Sequence, residues 1–251
     1  MAEAAPRVPP RRSTFAPSSR NRKRAPAACV LVWAVLGSGC AARLFVPPSG
    51  PGAAAPDAAA ALASATAACR SVDALVFRIG MKGRVGDQGI PRGGRFDGAV
   101  SRAGEFFLEA SYLGSQRLVM AGRADEATLW LKDGNRVLRA PLDDLVDALT
   151  GFRLAAPAWL GIIAGCGVEH PTLDQAASFG QTIRVTSGAA VLFLEPAPSG
   201  WRVRWASLGD LSVDYGSSDG VWPREITLYS AAGAAVPSRI QVTVRERHVD
   251  P

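Results

Sequence analysis

Residues Leu142 to Gly167 read LDDLVDALTGFRLAAPAWLGIIAGCG. Leu142, Leu145, Val146 and Leu149 recur at i, i+3, i+4 and i+7, with Asp143, Asp144 and Asp147 on the other side, so the first part is an amphipathic helix. Gly151 ends it, because a helix C-terminus favours a residue that tolerates the left-handed conformation. Pro157, suited to a first helical turn, opens a second helix whose Trp159, Leu160, Ile162 and Ile163 leave almost no polar face. A helix that is apolar all round must be buried, and Gly165-Cys166-Gly167 stops this one.

On both sides of this stretch the apolar period is two. Leu75, Phe77, Ile79 and Met81 share one strand face, with Arg78 and Lys82 opposite. Phe106, Leu108, Ala110 and Tyr112 alternate with Glu105 and Glu109, and residues 117–123 and 127–131 are further strands. After the helices come Ile183 and Val185, then Val191 and Phe193, then Trp201, Val203 and Trp205 opposite Arg202 and Arg204. Leu211, Val213 and Tyr215 follow, then Ile226 and Leu228, then Ile240, Val242 and Val244. Gly86 to Gly94 and Gly114-Ser115 are hairpin connections. Short strands about ten residues apart predict an antiparallel meander of about eleven strands, interrupted by two central helices.

The N-terminal part has another character. Arg20 to Arg24 is basic, Ala25 to Leu36 is apolar, and Gly37-Ser38-Gly39 precedes Cys40. This is the layout of a secretory signal, its apolar core too short for a membrane span of roughly 20 residues. A cysteine directly after the small residues resembles a bacterial lipoprotein signal, in which Cys40 is acylated and becomes the new N-terminus. Gly37 stands where that pattern usually has Leu, and an ordinary signal cut after Gly39 or Ala42 is the alternative. Either way the chain is exported. The expected organisation is a signal over 1–39, a Pro/Gly-rich tether over 40–56 and one domain over 57–251, opening with an Ala-rich helix from about Pro56 to Arg70 that Asp57 caps.

Charge and cysteine fit export. Seven of the 28 basic residues and one of the 22 acids precede Cys40, so the rest is balanced at 21 of each. The excess of +6 belongs to the signal, and nucleic-acid binding driven by phosphate neutralisation is unsupported. Cys69 and Cys166 remain as an even pair, either bridged or two buried thiols.

Chemistry is sparse. His170 and His248 have no Cys or His neighbour at ligand spacing, which argues against a zinc site. The mature part has no Gly-x-Ser-x-Gly, and the Asp143, Asp144 and Asp147 face has no apolar surroundings to tune a carboxylate. Gly93-Gly94-Arg95-Phe96-Asp97-Gly98 lacks the Lys-Ser/Thr of a phosphate loop and reads as a turn entering a strand. No catalytic constellation and no cofactor site are expected.

The order of Cys40, an Ala-rich helix, Gly94-Arg-Phe-Asp-Gly98 leading into Phe106-Phe-Leu-Glu109, the helix closing at Leu149-Thr150-Gly151, and Leu154 through Trp159 to Gly165 resembles the LolA/LolB lipoprotein-carrier superfamily of the bacterial envelope. The resemblance covers roughly residues 57 to 247. It implies a half-open, curved antiparallel sheet, an incomplete barrel, with an N-terminal helix and two central helices over an apolar concave face that receives acyl chains. The walls implied are Phe77, Ile79, Phe106, Leu108, Met120, Trp130, Trp201 and Trp205 from the strands, with Trp159, Leu160 and Ile163 from the second helix. The implied partners are acyl chains of lipoproteins or lipids, a membrane reached through the lipid on Cys40, and an envelope protein. The implied location is the outer membrane, facing the periplasm; a soluble periplasmic protein is the alternative. A packed scaffold of the same fold, offering its surface to an envelope complex without a ligand, is the competing functional class.

Overall fold

The computed structural model describes residues 44–250 except 92, 232, 233 and 235, so the signal over 1–39 and Cys40 lie outside the described residues. Helix α1 is Ala58–Arg70, and β1 (Ala74–Val85), β2 (Gln88–Ile90), β3 (Arg95–Ser101), β4 (Phe106–Tyr112), β5 (Ser115–Gly122), β6 (Ala127–Leu131) and β7 (Arg136–Ala140) follow. Helices α2 (Leu142–Thr150) and α3 (Ala156–Ala164) then interrupt the sheet. Its second half is β8 (Gln175–Phe179), β9 (Thr182–Ser187), β10 (Ala190–Ala197), β11 (Gly200–Leu208), β12 (Leu211–Tyr215), β13 (Ser218–Asp219), β14 (Trp222–Pro223), β15 (Glu225–Ser230) and β16 (Ser238–Asp250).

One 14-stranded sheet runs β7-β6-β5-β4-β3-β1-β16-β15-β12-β11-β10-β9-β8, with β2 paired beside β1, and it does not close. All pairings within it are antiparallel. The two halves meet where β1 pairs with β16, so the chain's last strand joins the first. The expected count of about eleven strands is too low. Of the extra ones β2 is three residues long, β7 is almost wholly exposed, β8 is mostly small and polar, and β13 and β14 form a separate two-stranded hairpin.

The helices share out the concave face. Ala58, Ala61, Leu62, Thr66 and Cys69 are the buried side of α1, which packs on β9, β10 and β11, while α2 lies against β6 and α3 against β3. Arg102 closes the C-terminus of α1, donating to the carbonyls of Val72 at 2.7 Å and Cys69 at 3.3 Å, a cation at the negative end of the helix dipole. Gly151 (φ 73°) and Gly165 (φ 90°) end α2 and α3 in the left-handed conformation, each donating its N–H back to the last turn. No helix among the described residues is long and apolar enough to cross a membrane.

The Pro/Gly-rich segment departs from a free tether. From Leu44 it is laid on the outer side of the second half-sheet. Phe45 donates its N–H to Asp214 and stacks 5.5 Å from Phe193, Arg184 donates to the Gly50 carbonyl at 3.2 Å, and Ala53 bridges Ser178. Aromatic contacts of this kind offset the cost of ordering such a chain.

Candidate functional site

Between the first half-sheet and the two central helices lies an apolar cavity of about 140 Å³. Its floor is Phe77, Ile79 and Met81 of β1 with Ile90, Phe96, Leu108, Leu118 and Met120 of the neighbouring strands. Val146, Leu149 and Thr150 of α2 and Trp159 and Ile163 of α3 form the roof. The floor follows from alternation: successive strand residues point to opposite faces, and these are every second residue along β1 and its neighbours. Gly98 belongs to it indirectly. A Cβ there would stand 2.5 Å from the Phe77 ring, so glycine lets that ring lie flat across β3.

The roof is held at one end. The fully buried Tyr215 hydroxyl donates to the Ile162 carbonyl at 3.1 Å and accepts from the Gly167 N–H at 3.0 Å, gripping the C-terminus of α3. Burial pushes that phenol well above its ordinary pKa, against the pull of the Gly167 N–H, so it stays neutral. Cys166 lies beside this grip. It faces Cys69 of α1 with the Cα atoms 6.1 Å apart, inside the range a disulfide spans. The N-terminus of α3 has no side-chain cap, and neither has α2.

Trp159 is 8% exposed, and its Nε1 is buried with no hydrogen-bond partner among the described residues. An orphaned donor of this kind costs about 1–3 kcal/mol, which an acceptor brought by a ligand would recover. Everything else on the wall is apolar apart from Thr150, whose hydroxyl donates to Val146 O at 2.8 Å. Such a surface can take up hydrocarbon and can do no acid–base work. No group of three or more His, Cys, Asp or Glu among the described residues is placed to hold a metal ion.

Of the residues expected on the wall, Phe77, Ile79, Leu108, Met120, Trp159 and Ile163 meet at the cavity. Phe106 and Leu160 are buried in the adjoining core, 7% and 1% exposed. Trp201 is half-buried at a separate depression with Pro56, Ile183 and Pro196. Trp130 and Trp205 are on the opposite face of the sheet. Ala127 and Leu129 point inward from β6, so Trp130 points outward, where its Nε1 donates to Asn135 at 3.1 Å. Trp205 is turned by a bulge: Val203 pairs with Leu194 but Trp205 with Phe193, leaving Arg204 as the extra residue. It joins the outer aromatic cluster, 5.7 Å from Phe193, with Nε1 donating to Tyr229 at 2.7 Å. Met81 and Leu118 were within reach of the sequence, being two residues from Ile79 and Met120. Val146 and Leu149 are the apolar stripe of α2, whereas Ile90 on a three-residue strand carried no periodic signal.

No family model matches this chain, and no curated protein matches it in sequence. Among solved structures it is similar to a LolA superfamily protein from Nitrosomonas europaea, at 12% identity and a TM-score of 0.49 over 77% of this chain and 94% of that one. It is also similar to a DUF1329 family protein from Desulfovibrio piger, at 10% identity and a TM-score of 0.45 over 78% and 94% of the two chains. The Mycobacterium tuberculosis lipoprotein LppX is similar at 13% identity and a TM-score of 0.34, over 78% of this chain and all of that one.

Proposed function

We propose that this protein is an envelope carrier that takes acyl chains beneath α2 and α3 and moves or inserts lipoproteins or lipids at the outer membrane, without chemistry. The observation that carries this reading is the apolar cavity under an all-apolar helix with an unsatisfied indole N–H in its wall. A volume of about 140 Å³ equals only a few water molecules at roughly 30 Å³ each. A whole acyl chain therefore needs the roof to lift. Tyr215 and Cys166 fix the C-terminal end of α3, so opening is a swing of its N-terminal end together with α2. Each methylene taken up contributes about 0.8 kcal/mol, which offsets the separation of helix from sheet.

The small volume also favours a second reading, a packed scaffold that binds no ligand. Leu149→Trp separates the two. The larger side chain fills the cavity from the roof, so a carrier is expected to lose affinity for a fluorescent fatty acid by tenfold or more while its thermal midpoint holds or rises. Wild-type protein that takes up no probe would reject the carrier.

We further propose that Cys40 bears the lipid that holds the protein on its membrane. Cys40→Ser is expected to release the protein into the soluble periplasmic fraction. Continued fractionation with membranes would overturn the anchor.

A further inference from the structure

A second bulge, at Arg245, turns over the end of β16. Arg78 pairs with Glu246 but Ile79 with Val244, so Arg247 comes to the concave face directly across from Phe77. Its guanidinium stacks over Trp222 at 5.0 Å and donates to the Pro223 carbonyl at 2.7 Å. Its Nε is buried with no partner among the described residues. Asp219 is close enough to favour the charge. Among the described residues, however, no carboxylate pairs with Arg247, Arg224 or Arg245. Burial lowers the Arg247 pKa to about 10, which leaves it charged at neutral pH. Arg247 is half-buried, and a charge drawn this far from water is ordinarily paired; left unpaired it is a standing cost to the fold.

The cost is intelligible if the partner arrives with a ligand. Beside Arg247 is a polar pocket of about 270 Å³ between the β13–β14 hairpin and β16, its wall carrying Arg224 and Arg245 together with Asp219 and Glu246, the last of which is paired with Arg78 at 2.6 Å. Guanidinium is the group that grips a planar or tetrahedral oxyanion with two parallel hydrogen bonds, and stacking on an indole fixes its plane beforehand. From this pocket, a guanidinium that no carboxylate pairs and its register with the cavity-lining Phe77, we infer that Arg247 binds the oxyanion, phosphate or carboxylate, of a lipid headgroup whose acyl chains enter the neighbouring cavity. The lipid part of this assignment rests on the acyl-chain reading above, and the anion part does not. It narrows the cargo: an anionic lipid satisfies both sites, whereas acyl chains with a neutral head leave Arg247 unmatched.

The test is calorimetric titration of the purified protein with dihexanoyl phosphatidylglycerol, with dihexanoylglycerol and with glycerol phosphate. Wild type is expected to bind the phosphatidylglycerol about 10- to 100-fold more tightly than the neutral diacylglycerol, the gain of a charge-assisted bidentate contact. Arg247→Gln should bring the two lipids within about threefold by weakening only the anionic one, and Arg247→Lys, which keeps the charge but not the fork, should fall between. Equal binding of both lipids by wild type, or a preference that survives Arg247→Gln, overturns the site. If Arg247→Gln does not fold, Arg247→Lys decides by the same comparison. If neither lipid binds but glycerol phosphate does, and Arg247→Gln or Arg247→Lys weakens it, the anion is a free one and the acyl-chain reading fails alone. Failure of all three ligands rejects both.

Discussion

Leu160→Asp is expected to leave no folded protein at ambient temperature, and Ile163→Asp is expected to leave folded protein that binds no fatty acid. The two residues are one turn apart on α3 and almost equally buried, 1% and 2% exposed. They differ in what faces them. Leu160 is enclosed by core side chains, so a carboxylate there is a buried charge without water or partner, at a cost of several kcal/mol against a total stability of about 5–15. Ile163 borders the cavity, which has room to hydrate the charge. That hydration is what excludes an acyl chain. Circular dichroism melting and probe titration on both variants check the pair. Ile163→Asp that binds probe like wild type would show that α3 is no wall of the site.

The second large effect concerns Cys69 and Cys166, separated by 97 residues. We propose that they are bonded. In the chain-entropy model a loop of that length contributes about 4–5 kcal/mol through the unfolded state. For a domain of about 200 residues this corresponds to a fall of roughly 10–20 °C in the thermal midpoint on replacing both with serine. Peptide mapping without reductant should yield one cross-linked peptide containing both. Recovery of both as free thiols from freshly extracted protein would refute the bond. Loss of the bond also unties α1 from α3, so the cysteine-free variant should take up fatty acid faster while it is still folded.

How far the sequence carries the fold depends on the element. The leucines of α2 and the apolar run of α3 lie where their spacing and their glycines put them, because local chemistry alone decides those boundaries. The open antiparallel sheet is legible for the same reason: alternation survives in Phe77 to Met81 and in Ile240 to Val244. Strand β7 escapes because Arg136, Val137, Leu138 and Arg139 are all exposed, so burial imposes no period on them. Strand β8 escapes because it is Gln, Ala, Ala and Ser before Phe179, so a single large apolar side chain, packed 6.4 Å from Phe193, sets no period. The site is less legible than the fold. Alternation is a rule about one uninterrupted pleat, and of the three bulges in the sheet two break it where the site is concerned. One sends Trp205 to the outer face, and the other brings Arg247 onto the inner one. A bulge leaves no residue pattern of its own here, so no reading of one strand in isolation finds either change. The inward guanidinium is visible only once β16 is paired with β1.

An open sheet is a ladder with two ends, and each end offers backbone groups to any strand that comes by. Here the ends are stopped differently. On β7 the exposed Arg136 and Arg139 put like charges where a second copy would align its own. On β8 the ladder ends at Ala53, which exchanges two hydrogen bonds with Ser178 at 2.9 and 2.8 Å. Pro47, Pro48, Pro51 and Pro56 flank that residue, and a proline has no N–H to pass the ladder on. The segment that reads as a leash is thus also a stopper. It lets the sheet stay open without inviting a second copy to complete it.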